Sequence, residues 1–247
     1  MFVPLPLLLP AAAGAALLAP ALLAPALLLA GARPQQPPAA QEGAVRAADL
    51  LAAVRDCVQV SHGRYRSDQG TPADIPVCGA RGAVFWKADM DTDCDGRPGP
   101  VCNRRTDPSF TPATTYRQSD GRYVSAETLP YIVVPAPSAI WDHRRYGIGG
   151  GSVAAVILRG RVQYAVVGDT GPREIIGEAS YATVRALGIR HDPRTGGADF
   201  GVTYIVFRDA RVSRLEDRRA ARERGEELAR RFLRENGARE RSGHDRT

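Results

Sequence analysis

Two carboxylates, Asp169 and Glu178, lie nine positions apart within the segment Tyr164–Ser180. Each follows an apolar stretch typical of a buried strand and each is next to a glycine, so a rigid scaffold can hold both acids at one cleft. There, one carboxyl can give a proton to a leaving oxygen while the other activates water, the two-acid chemistry of glycosidic bond hydrolysis. The spacing alone equally fits structural roles, with Asp169 in a turn and Glu178 capping a helix that begins at Ala179.

A second acidic group occupies residues 89–96, with the sequence DMDTDCDG. Four of its members match the first half of a calcium-binding loop, namely Asp91, Asp93, Asp95 and Gly96. The twelfth position of such a loop needs a bidentate Glu and is Cys102 here, and no incoming helix is apparent, which disfavours an EF-hand. We assign no metal ligands and expect no cofactor. Because neighbouring carboxylates repel one another, an irregular calcium site, a surface for a cationic ligand such as an amino sugar, and plain solvation all stay open.

Aromatic residues that could stack on a sugar ring are sparse, and Trp86 and Tyr164 lie in apolar stretches that predict core positions. Trp141 instead precedes Asp142 and His143 in a polar segment, so we predict that Trp141 is the stacking surface. The tripeptide His191-Asp192-Pro193 fits an ordinary turn better than a catalytic dyad.

The first 32 residues predict a secretory signal peptide, because they are almost all Leu, Ala and Pro and end in a small-residue cleavage pattern. A membrane anchor is the alternative, which several prolines in the apolar run disfavour. Residues 33–43, rich in Pro, Gln and Ala, predict a disordered linker. We therefore expect a secreted, extracellular protein that keeps no stable membrane span after cleavage.

The four cysteines predict two disulfides, since an even number behind a signal peptide is typical of secreted proteins. Sequential pairing, Cys57–Cys78 and Cys94–Cys102, closes short loops and is our prediction among three possible pairings. A zinc site is the alternative, which is disfavoured because no C-x-x-C pair occurs and the histidines are not spaced as partners.

The net charge of +6 says little about function, because arginine and alanine are used in excess throughout. Basic residues are densest in 211–246, mixed with acids and almost without aromatics, so we expect no nucleic-acid binding. Residues 213–247 are therefore predicted to be a charged helical extension, either solvated or tethered to an anionic surface. We expect a monomer.

Residues 44–212 remain as the folded domain, which the apolar pattern predicts to be mainly β with flanking helices (α+β). A helical face runs through Ala47–Val60, Arg159-Gly160-Arg161 predicts a hairpin turn, and a short helix is expected over Ala179–Leu187. The predicted strands cover 82–86, 131–134, 152–158, 162–167 and 202–207.

In combination, these segments resemble the secreted chitosanases of glycoside hydrolase family 75. The resemblance covers about Asp56–Phe207. It is specific to this family because the matching segments occur together in the family's order. The matching segments are Val77-Cys78-Gly79, Met90–Gly96 with Cys102, Pro130–Val134, Gly151–Asp169 with Thr170, Gly177–Ser180, and His191-Asp192-Pro193. The C-terminal helix lies outside it.

The resemblance implies endo-hydrolysis of β-1,4 linkages in chitosan by an inverting mechanism, with Asp169 and Glu178 as the catalytic residues of the domain 44–212. We place five residues along the polysaccharide: Asp91, Asp93, Asp95, Trp141 and Thr170. This chain departs from the family pattern at Val167, where Trp is common, and at Gly171-Pro172, where Asn-Gly is common. Another glycan such as peptidoglycan, or a non-catalytic carbohydrate- or calcium-binding module, is therefore the alternative.

A broader resemblance bears on the fold. A strand that ends in Asp169–Pro172, then a short strand, a helix and a last strand are similar to double-psi β-barrels, which implies a compact barrel. That likeness also favours Asp169 as the proton donor.

Overall fold

The structure is a computed structural model that describes residues 45–243, with side chains described through residue 237. The predicted signal peptide and linker lie outside the described residues. Within the described part, no helix combines the length and apolar character needed to cross a membrane.

Eight strands, three helices and one 3-10 turn make up the described chain. In order they are α1 (Ala47–Ala53), β1 (Val58–Gln59), β2 (Cys78–Ala80), β3 (Ala83–Asp93), β4 (Tyr131–Pro135), the 3-10 turn (His143–Tyr146), β5 (Ser152–Leu158), β6 (Arg161–Gly171), β7 (Glu178–Ser180), α2 (Tyr181–Ala186), β8 (Gly197–Arg211) and α3 (Arg218–Gly243).

Six of the strands form a closed barrel in the order β3-β7-β4-β6-β5-β8, because β8 pairs with both β5 and β3. The pairs β3–β7 and β4–β6 are parallel, and the other neighbours are antiparallel. The prediction of a mainly β fold with a compact barrel is confirmed. Double-psi connectivity and the monomeric state stay predictions.

Alternating residues of each strand fill the barrel interior, as in β3 with Val84, Trp86, Ala88 and Met90. The opposite face of β3 therefore points outward. At the start of β3 that outer face is covered by α1 and α3, whereas its last part carries the acidic residues. The strand thus changes from a packed outer face to an open, acidic one along its length.

Trp141 belongs to the interior, so the prediction that it stacks on a sugar ring is wrong. Its side chain is only 2% exposed. The indole lies 6.3 Å from the ring of Trp86 and 5.9 Å from that of Tyr146. Asp142 accepts a hydrogen bond from the backbone N–H of Arg144 at the start of the 3-10 turn, and Arg144 is exposed. His143 is buried together with the indole, whose large apolar surface stabilises the core.

The hairpin between β5 and β6 follows the prediction, and positive φ angles of 47° at Arg159 and 79° at Gly160 fit a two-residue hairpin turn. The helix over Ala47–Val60 is shorter than predicted, because it ends at Ala53 and Val58 pairs with Gly79 in a two-stranded extension of the sheet. Helical spacing of apolar residues continued past the point where pairing with β2 takes over.

Both predicted disulfides are confirmed, and no cysteine is free within the described chain. The Cys57–Cys78 bond fixes the segment after α1 to β2. The Cys94–Cys102 bond closes the loop that follows the acidic end of β3, and both sulfurs lie in an apolar cluster against the outside of the barrel.

Helix α3 is packed against the barrel, which contradicts the prediction of a solvated extension. Leu228, Ala229 and Phe232 are buried, and the rings of Phe232 and Phe207 lie 6.1 Å apart. The helix begins later than predicted, where the side chain of Asp217 accepts a hydrogen bond from the backbone N–H of Ala220. Because most residues of α3 are charged, the sequence pattern did not reveal the narrow apolar stripe that packs against the barrel.

Candidate active site

The two predicted acids lie on one outer face of the barrel. Asp169 of β6 is paired with Val133 of β4. Ile132 is paired with Ala179 in the antiparallel pair β4–β7, which puts Val133 opposite Glu178. Since directly opposed residues point to the same face, Val133 separates the two carboxylates by two strand spacings, roughly 9.5 Å between Cα atoms.

A β-bulge turns Asp169 outward. Val167 pairs with Ile132 and faces the interior, whereas the next pair is Asp169 with Val133, so Gly168 is an extra residue in β6. An unbroken strand would point Asp169 to the same side as Val167, and the inserted residue reverses this. Only glycine fits there, because a Cβ at position 168 would lie 2.6 Å from the Tyr131 ring.

Asp169 is held by two backbone donors. The N–H groups of Thr115 and Thr170 each donate to Asp169 Oδ1 at 2.7 Å, and the two threonine hydroxyls are 2.6 Å apart. Burial raises the pKa of Asp169, while these hydrogen bonds act in the opposite direction by stabilising the carboxylate. Thr170 therefore positions the acid, and its partner Thr115 was missed because it lies in an irregular segment without a motif.

Glu178 begins β7 and does not cap α2; Ser180 does, through its Oγ and the N–H of Thr183. Burial, together with the nearby charges of Asp91, Asp95 and Asp169, raises the pKa of Glu178 to about 7. A Cβ at position 171 would lie 2.7 Å from Glu178 Oε2. The Glu178 carboxyl thus extends across Val133 towards β6, into space that a side chain at Gly171 would fill.

The second acidic group is part of a strand rather than a calcium loop, because Asp91 and Asp93 both lie in β3. Asp93 accepts hydrogen bonds from the Tyr131 hydroxyl at 3.1 Å and the Asp95 N–H at 2.6 Å. Asp95 in turn accepts one from the Thr111 N–H at 2.7 Å. Burial raises the pKa of Asp93 well above its usual range and that of Asp95 to about 6.

Asp91 joins two acids that were not selected from the sequence as site residues. Asp68, Asp89 and Asp91 each place a carboxylate oxygen within 4.8 Å of the others. Burial and the mutual repulsion of these acids together raise the pKa of Asp89 to about 7 and that of Asp91 to about 6. Asp68 is far from the others in sequence, so only the fold could bring it to this cluster.

The turn at His191-Asp192-Pro193 is structural, as predicted. The Asp192 carboxylate accepts hydrogen bonds from the N–H groups of Arg194 and Thr195 within its own turn. The His191 ring packs edge-on against Tyr181 at 5.2 Å. This segment closes one side of the acidic end of β3 without presenting a catalytic dyad.

A family model described as fungal chitosanase of glycosyl hydrolase group 75 matches residues 90–233. The match contains both Asp169 and Glu178 and continues into α3, which was expected to lie outside the resemblance. It covers more than half of the chain.

Two endo-chitosanases of Aspergillus oryzae are similar to this chain. Endo-chitosanase C is 32% identical over 170 residues, which is 65% of this chain and 42% of that protein. Endo-chitosanase B is 29% identical over 157 residues, which is 56% of this chain and 65% of that protein. The chain therefore spans less than two thirds of the length of each relative.

Proposed function

The chain belongs to glycosyl hydrolase group 75, the fungal chitosanases, and we propose from this membership that it hydrolyses β-1,4 bonds between glucosamine residues within chitosan. The observation that carries the proposal is the position of Asp169 and Glu178 on one outer face of the barrel, with only Val133 between them. In the proposed mechanism, both acids act on one polysaccharide bound across this face.

We assign the proton donor to Glu178 and the base to Asp169, the reverse of the assignment that the double-psi likeness favoured. Asp169 Oδ1 accepts two backbone N–H groups, which stabilise its ionised form. Burial of Glu178 and the charges of the carboxylates around it raise its pKa and favour its protonated form. Glu178 can therefore give its proton to the leaving oxygen while Asp169 takes one from water.

The inverting mechanism is part of the proposal because the family resemblance implies it. It requires carboxyl groups roughly 6.5–9.5 Å apart, with a water between them. The Cα atoms of Asp169 and Glu178 lie two strand spacings apart, and the Glu178 carboxyl extends from there towards β6. Attack by this water on the face opposite the leaving group would reverse the configuration of the anomeric carbon.

The acidic residues also suit a cationic polysaccharide. The whole chain has a net charge of +6, yet Asp91, Asp95, Asp169 and Glu178 gather on one face of the barrel. A local negative field of this kind raises the concentration of a cationic substrate near the acids. The two disulfides fit an oxidising compartment, which supports the proposal that the protein acts outside the cell.

The test is the release of reducing ends from chitosan. We expect Asp169→Asn and Glu178→Gln each to lower kcat by about 10²–10⁴-fold without unfolding the protein. Asp56→Asn, an exposed acid outside this face, is the matched control and should keep full activity. Proton NMR of the first products should show the inverted anomer.

Full activity in both variants would contradict the assignment. If the products retained the anomeric configuration, the inverting step would be excluded, but Asp169 and Glu178 would remain the proposed catalytic residues. Clearing of peptidoglycan with no hydrolysis of chitosan would assign the site to another glycan.

A further inference from the structure

The row of residues that contains the two acids continues beyond Glu178. Asp91 of β3 is opposite Glu178, and Gly197 of β8 is opposite Asp91. A polysaccharide that crosses the strands at Asp169 and Glu178 therefore reaches the cluster of Asp68, Asp89 and Asp91 one strand further on.

That cluster is compact enough for one ammonium group to reach all three acids. Its three carboxylate oxygens all lie within 4.8 Å of one another. An ammonium group has three N–H donors in tetrahedral directions, and at about 2.8 Å per hydrogen bond its acceptors stand about 4.6 Å apart. One such group can thus bridge all three acids.

Asp89, a member of this cluster, has a carboxylate oxygen without a hydrogen-bond partner among the described residues. Its side chain is only 7% exposed, and Oδ1 has no hydrogen-bond partner in the described structure. A buried carboxylate oxygen without a donor is costly, and a positively charged donor bound between the acids would remove that cost.

A bulge in β8 adds an aromatic surface beside the cluster. Residues 199–201 stand between the pairs Ala88–Val202 and Met90–Ala198, so three residues of β8 oppose the single residue Asp89. The bulge carries Phe200, which is 80% exposed, the one aromatic among the large apolar side chains exposed in the described chain. Bulges re-aim side chains next to active sites, and a free phenyl face can stack on a sugar ring.

Phe200 and the three acids line one cavity of about 560 Å³. Asp199, Arg159 and Arg190 also line it. Arg190 donates a hydrogen bond to Thr195 Oγ1, so its guanidinium is held within its own turn. The cavity is large enough for a sugar ring and far larger than a bare metal ion requires.

We infer that Asp68, Asp89 and Asp91 bind the ammonium group of a glucosamine residue next to the scissile bond, with Phe200 stacking on a sugar ring of the same chain. This inference rests on the proposed function, because it extends the groove that begins at Asp169 and Glu178. It makes the subsite selective for unacetylated glucosamine, because an N-acetyl group has no positive charge to compensate the charges of the acids.

The test uses Asp68→Asn, because Asp68 is exposed and its replacement leaves the barrel core intact. On fully deacetylated chitosan we expect KM to rise about tenfold with kcat nearly unchanged, as for a lost charge-assisted contact. On partially acetylated chitosan, wild-type products should carry only glucosamine at the end formed in this subsite, and Asp68→Asn should also release ends with N-acetylglucosamine.

Phe200 is tested separately. Phe200→Ala should raise KM by about three- to tenfold, and Phe200→Tyr should restore it, because the tyrosine ring keeps the stacking face. The control Asp56→Asn removes one exposed acid near α1, β2 and α3 and should change neither KM nor the product ends.

If Asp68→Asn hydrolysed chitosan with unchanged KM and unchanged product ends, the proposed subsite would be overturned, but the proposed function would not. If wild-type protein cut no chitosan, the proposed function would fail instead, and calorimetric titration of Glu178→Gln with a glucosamine tetramer would still test the subsite. A calcium-dependent melting shift that Asp68→Asn abolishes, without an effect on KM or oligosaccharide binding, would assign the cluster to a metal ion and overturn the inference.

Discussion

Glu178 and Asp91 lie opposite each other on the parallel strands β7 and β3, so two carboxylates share one face of the barrel a single strand spacing apart. At that distance each negative charge opposes ionisation of the other. The pairing explains why Asp91 has the largest charge effect on the pKa of Glu178. The strand register thus couples the proposed proton donor to the proposed ammonium site.

Removal of the Asp91 charge is predicted to make Glu178 more acidic. In Asp91→Asn the pKa of Glu178 should fall below about 7, because one of the charges that raise it is gone. Since the proton donor must be protonated, the alkaline limb of the kcat profile should move to lower pH. Measurement of kcat from pH 4 to 8 tests this, with Asp56→Asn as the charge-matched control. An alkaline limb that did not move would show that the charge of Asp91 does not influence the pKa of Glu178.

The folded protein is predicted to lose stability as the pH rises from about 4 to about 7. The pKa values of Asp89 and Glu178 are raised to about 7 in the folded state, from 3.8 and 4.5 for unperturbed groups. In that window the folded state binds more protons than the unfolded state, so the free energy of unfolding decreases with pH. Thermal melting across this range should show a falling Tm, with a smaller decline in Asp89→Asn. A Tm that rose through this window would contradict the prediction.

A side chain at position 171 is predicted to disturb the proton donor. In Gly171→Ala the new Cβ would lie 2.7 Å from Glu178 Oε2 and 3.0 Å from Val133 Cγ1, so the carboxyl must move. We expect kcat to fall by about tenfold to a hundredfold with a small change in stability, as for a misplaced catalytic group. Gly237→Ala is the control, since nothing lies within 4 Å of the Cβ added there; equal kcat in both variants would show that Glu178 tolerates the crowding.

Helix α3 is predicted to stabilise the barrel. Phe232→Ala removes a buried ring that packs against Phe207, and such truncations lower the free energy of unfolding by about 3–5 kcal/mol. Denaturant unfolding measures the change. Arg234→Ala on the exposed side of the helix should have an effect of about 0.5 kcal/mol or less, and an equally small effect at Phe232 would mean that the barrel does not depend on the helix.

The elements predicted correctly are those that a local sequence pattern specifies. Ser152–Leu158 was predicted with the bounds the strand has, because an unbroken apolar run between turn residues permits little else. The cysteine pairs followed from short loops. Sequence reasoning failed where tertiary packing competes with a local pattern: Trp141 stands among polar residues yet enters the core, and α3 is mostly charged yet buries Phe232.

The departures from the family pattern also have different meanings once they are placed in the barrel. Val167 points into the interior, away from the face that carries the acids. Gly171 lies beside the Glu178 carboxyl. Val167 therefore affects the packing of the core, whereas the absence of a side chain at Gly171 leaves space for the carboxyl of the proposed proton donor.

The amino-acid sequence alone determined the mainly β fold, the disulfide pairs and the identity of Asp169 and Glu178 as the candidate acids, because periodicity, cysteine spacing and motif order are properties of the linear chain. The tertiary structure decided how these acids are used. Only strand register places Glu178 between Val133 and Asp91, only the bulge at Gly168 turns Asp169 outward, and only barrel closure puts the bulge of β8 beside β3. These relationships join residues far apart in sequence through backbone hydrogen bonds between strands, and no local pattern encodes which strands will meet.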